Sequence, residues 1–216
     1  MREKVGWKAE ILPLQWRIAL SWISGYLIYS LFTPALFHFQ GPIVAGQMGM
    51  TWAVTAGVSG LAATWIQVKV PQFGMLVAKK NYAALDRTVL RAGFIAFLIA
   101  CTGGLIVLGI VAALAHYHHP LSSRLLPLGS VGIFVAAEVL HQISIAQSSY
   151  LRSFKKEPFL MLSISNGLMI GASTIICAKY FGATGVAMAY FAGIILALTW
   201  GSRIFVRCRR EWIGST

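Results

Sequence analysis

The sequence predicts an all-α, polytopic membrane protein, a bundle of six transmembrane helices with both termini cytoplasmic. Three observations lead there. Hydrophobic residues make up 57% of the 216 positions and charged residues 11%, less than half the roughly 25% usual in soluble domains. Six apolar runs are each long enough to cross a bilayer, and the basic residues gather on alternate sides of those runs. The low polar content excludes a disordered chain, and three cysteines, Cys101, Cys177 and Cys208, do not make a disulfide scaffold.

The runs occupy residues 14–37, 42–68, 89–115, 125–151, 159–178 and 183–206. A hydrocarbon core about 30 Å thick needs about 20 predominantly apolar residues as helix, and every run supplies that. None shows the period-two alternation of a half-buried strand. The first run exceeds the about 7–15 apolar residues of a signal peptide and no small-residue cleavage site follows it, so it is expected to be retained. Residues 1–13 read as a cytoplasmic interfacial segment, because Arg2, Lys4 and Lys8 alternate with Glu3, Glu10 and Trp7. Residues 14–206 form the transmembrane lobe and residues 207–216 a cytoplasmic basic tail.

Lys and Arg close to span ends are retained on the cytoplasmic side. Arg2, Lys4, Lys8 and Arg17 precede the first run; Lys69, Lys79, Lys80, Arg87 and Arg91 follow the second. Arg152, Lys155 and Lys156 follow the fourth, and Arg203, Arg207, Arg209 and Arg210 close the sixth. Only Arg124 and Lys179 fall on the other side. The net charge of +12 is therefore explained by topology, and no nucleic-acid partner is expected. Trp7, Trp16, Trp65, Trp200 and Trp212 lie near span boundaries, where an apolar ring with one polar N–H anchors to the headgroup layer.

Glu138 is the one acidic residue deep in a span. His141 and Gln142, three and four positions on, share its helix face. A carboxylate at mid-bilayer has to be paired, wetted or protonated. It serves either as a proton- or cation-coupling group or as a hydrogen-bonded strut between helices. The second run carries Gln47, Thr51, Thr55 and Ser59 at four-residue intervals, a stripe that either lines a polar cavity or bonds its own backbone. Asn166 and Ser173 are expected to meet the same interior from the fifth run. Ala53–Gly57, Ala56–Gly60 and Gly167–Gly171 are small-xxx-small pairs and predict close helix contacts. No phosphate-cradling glycine loop, carboxylate pair or metal-spaced cysteine set is present, so neither enzyme, cofactor nor metal is predicted. His116, His118 and His119 read as an ordinary extracytoplasmic loop.

The segment 65–91, WIQVKVPQFGMLVAKKNYAALDRTVLR, resembles the cytoplasmic loop after the eighth helix of bacterial oligosaccharide flippases in the multidrug/oligosaccharidyl-lipid/polysaccharide exporter superfamily. The segment 150–159, YLRSFKKEPF, is similar to the loop before the family's eleventh helix, and 181–186, FGATGV, to the turn that follows it. In order and spacing these place the chain on the family's C-terminal six-helix half. The resemblance implies a location in the bacterial inner membrane. It also implies movement of a lipid-linked oligosaccharide, carried on undecaprenyl diphosphate, to the outer leaflet for O-antigen, capsule or exopolysaccharide assembly. A second six-helix lobe, a separate chain or a second copy, is the implied partner. Arg17, Arg91, Arg152 and Arg203, near cytoplasmic span ends, would greet a headgroup at the entrance. No cation lies at mid-depth, so any deep cationic ring must come from the partner lobe. Two other readings stand beside this one: a non-transporting membrane remnant or assembly subunit, and a drug or cation exporter lobe of the same superfamily.

Overall fold

The computed structural model describes residues 12–213. In chain order these form α1 (Leu12–Gln40), α2 (Pro42–Gln67), α3 (Val70–Ala78), α4 (Tyr82–His116), α5 (Leu128–Arg152), α6 (Leu160–Tyr180) and α7 (Gly182–Ile213), with a single 3-10 turn at Pro120–Arg124. No strand occurs among the described residues. The interfacial segment expected at residues 1–13 lies outside the described residues except for the first turn of α1.

The six long helices correspond to the six predicted runs, and five of them, all but α2, are long and apolar enough to cross a membrane. The α2 helix is equally long, 26 residues, but Gln47, Thr51, Thr55, Ser59 and its glycines dilute its apolarity. Packing shows what its composition does not. Gln47 near its start bonds the turn at Ser123, and Ile66 near its end sits in the apolar cluster at the opposite end of the bundle, so α2 runs the full depth of the molecule. It packs on α1, α4 and α5, while α6 and α7 close the bundle against α1 and α5.

Several boundaries differ from expectation, chiefly because charged residues end an apolar run without ending a helix. The α4 helix starts at Tyr82 rather than 89, capped by Asn81, whose side chain accepts the Ala84 N–H at 3.2 Å. The α7 helix runs to Ile213, so the expected basic tail continues the last span through 213. The stretch between the second and third runs contains the short helix α3, with Phe73 fully buried. Leu125 is extended after the 3-10 turn, and α5 starts only at Leu128, with Pro127 as its N-cap.

Two apolar clusters fill the bundle, one toward each end. The first joins Phe32, Leu36, Met48, Phe134, Val186 and Tyr190; the second joins Ile66, Phe73, Leu85, Tyr150, Phe159 and Leu162, with Trp212 packed against it. Arg17, Lys69, Arg87, Arg152 and Arg203 stand toward the second cluster, at the basic end. Of the small-residue pairs, Gly167–Gly171 does mediate a close approach: a Cβ on Gly167 would stand 3.2 Å from the Ser24 carbonyl oxygen. Gly57 and Gly60 instead face open space. Tight seams lie at Gly103 and Gly104 on α4, where a Cβ would meet Val58 at 2.6 Å and Val135 at 2.4 Å, and at Gly193 on α7, where it would meet Ile170 at 2.4 Å.

Candidate functional site

The site is built around Glu138, which α5 carries into the centre of the bundle, 6% exposed. Its Oε1 accepts the Tyr190 hydroxyl from α7 at 2.5 Å, and its Oε2 lies 3.8 Å from His141 Nδ1, one turn along α5. The His141 side chain is 27% exposed, so the pair reaches from the core toward the surface. Tyr190 is fully buried within a cage of rings: Tyr29, Phe32, Trp52 and Phe134 have centroids 5.6–6.1 Å from its own. Tyr29 also stacks on Trp52 at 4.7 Å. Aromatic packing thus fixes the phenol, and the phenol fixes the carboxyl.

The Gln142 amide spans α5 and α2, donating through Nε2 to Ser59 Oγ at 2.8 Å and to the Ser59 carbonyl at 3.3 Å. Its Oε1 is buried with no partner among the described residues. Of the α2 stripe, Thr51, Thr55 and Ser59 are buried and Gln47 is half-buried, and its hydrogen bonds are already committed. Gln47 Nε2 donates to the Ser123 carbonyl at 2.9 Å, Thr51 Oγ1 accepts the Leu126 N–H at 3.0 Å, and Thr55 donates to the Thr51 carbonyl at 3.0 Å. Between Thr55, Ser59, Gly104, Val135 and Glu138 remains a cavity of about 10 Å³, the room one water needs. That cavity beside Glu138 is too small for anything larger than water.

Asn166 is half-buried on α6 facing α7 near Gly193 and makes no hydrogen bond to the Glu138 group. Ser173 bonds its own backbone, donating to the carbonyls of Met169 and Ile170, so neither joins the interior network. Arg17, Arg91 and Arg203 are exposed at the basic end. Arg152 is not free to meet a headgroup. It forms a two-pronged pair with Glu157 at 2.6 and 3.0 Å, and Glu157 is 6% exposed.

Three participants were not legible beforehand. Tyr190 could have been suspected, because a tyrosine in mid-span rather than at an interface requires a partner for its hydroxyl. Glu157 lay in a segment read only as a loop. Asp86 accepts from Tyr150 at 2.9 Å and from Arg209, joining α4, α5 and α7, a meeting no local pattern announces.

The fold and this interior define an all-α, multi-pass membrane bundle with a polar centre. Comparison with protein-family models, curated proteins and solved structures finds no match to the chain.

Proposed function

We propose that this chain is one six-helix lobe of a transporter that flips a lipid-linked oligosaccharide, working against a second lobe. The observation that carries the transport reading is Glu138, an ionisable group held in the middle of a membrane bundle and linked through His141 toward its surface; ionisable residues at that depth mark coupling sites and proton or ion paths. The substrate class rests on the resemblance of segments 65–91, 150–159 and 181–186. The first two pack against each other: Tyr82 stacks on Phe154 at 6.1 Å, and Tyr150 bonds Asp86. Because the cavity beside Glu138 holds no more than a water, the substrate path runs between this lobe and its partner, and Glu138 acts by changing how α5 meets α7 when it gains or loses a proton.

Glu138→Gln tests this. The amide keeps an acceptor for Tyr190, so insertion and folding are expected to persist while export of lipid-linked sugar in intact cells falls at least tenfold. Export at the wild-type rate would reduce Glu138 to a strut between α5 and α7 and favour the assembly-subunit reading, which its closed hydrogen bonding also supports.

A further inference from the structure

The α7 helix continues beyond its apolar span without a break to Ile213. Phe205, Cys208 and Trp212 on its inner side pack into the cluster at the basic end. Arg209 pairs with Asp86 of α4, and Trp212 is wedged between Phe154, centroids 5.2 Å apart, and the Lys156 ammonium 4.6 Å from its ring. On the outer side stand Arg203, Arg207 and Arg210, all exposed. Their spacing of four and three residues puts them in one row, beside Ser202, Val206 and Glu211 on the same helix. Arg207 is shared with Glu211 at 2.8 Å, an exposed pair of little strength. Arg203 and Arg210 have no ion-pair or hydrogen-bond partner among the described residues.

The row begins one turn past Trp200, which is 51% exposed and which the sequence places at the membrane boundary. At 1.5 Å per residue the three arginine Cα atoms stand about 4.5, 10.5 and 15 Å beyond it, against a headgroup layer about 5–8 Å deep. Helical side chains lean toward the helix N-terminus, which here is back toward the bilayer. We propose that this row is a binding surface for anionic phospholipid headgroups of the adjoining leaflet, with the guanidinium groups meeting phosphate. A flexible tail of equal charge would hold lipid without preference for position. A fixed row predicts a gradient, with Arg203 contributing most and Arg210 least.

The test titrates the purified full chain in mild detergent with phosphatidylglycerol, phosphatidylcholine and farnesyl diphosphate, reading bound ligand by native mass spectrometry. Phosphatidylglycerol is expected to bind at least tenfold more tightly than phosphatidylcholine, at about fivefold per arginine near the surface. R203Q/R207Q/R210Q should lose most of that preference, and the single variants should rank by height. K79Q/K80Q/R87Q, equal in charge removed, should keep it. Equal affinity of the wild type for the two phospholipids overturns the proposal even where the triple variant does not fold. So does an equal loss in the lysine-rich control, or flat ranking among the single variants. Arginine-row-dependent binding of farnesyl diphosphate that exceeds phosphatidylglycerol tenfold would reassign the row to an isoprenoid diphosphate.

Discussion

Tyr190 and Glu138 form the pair on which the interior depends. A carboxyl buried in hydrocarbon has few donors to choose from, and the Tyr190 hydroxyl donates to its Oε1 at 2.5 Å. Tyr190→Phe removes that donor without changing the ring's packing. The expected cost is about 1–3 kcal/mol, that of stranding a buried acceptor, measured as thermal unfolding in detergent. Glu138→Gln should cost less, and the two together should fall short of the summed single effects, since they share one interaction. A Tyr190→Phe protein as stable as the wild type would show that the phenol does not hold the carboxyl. Glu138 was legible because it is the one acid inside an apolar run. Tyr190 lies 52 positions away, and only the meeting of α5 with α7 makes it a partner.

At the scale of elements, the turn between α5 and α6 is tied by Arg152 and Glu157, whose side chains are 28% and 1% exposed. That asymmetry sets an order of effects. Arg152→Gln leaves a buried carboxylate without its cation, at an expected cost of about 3 kcal/mol or more. Glu157→Gln leaves a guanidinium that water can reach and should cost less than half as much; denaturant titration of both variants measures the difference. Equal losses would mean that the turn is held by Phe154 and Phe159 packing alone. Helix cores were legible from apolar run length, whereas helix ends were not. The α4 and α7 helices extend several residues past the apolar limit because Asn81 caps one, and Asp86, Phe154 and Lys156 hold the other against the bundle.

For the whole molecule, element order and packing place the turns around His118 and Lys155 at opposite ends. His118→Cys and Lys155→Cys, each in a background without the three native cysteines, should therefore react with a membrane-impermeant thiol reagent from opposite compartments, Lys155→Cys only after the cytoplasmic face is opened. Labelling of both from one side would remove the bundle topology and everything built on it. The sequence by itself determined the solvent, the number of long helices and the sorting of basic ends, because transfer of apolar and charged groups between water and lipid is decided residue by residue. Only the tertiary structure decided that the polar stripe of α2 is spent on Ser123, Leu126 and Gln142, that Glu138 closes on Tyr190, and that Arg152 is committed to Glu157. Hydrogen bonds and close packing depend on which faces meet, and no pattern within one helix encodes its neighbour.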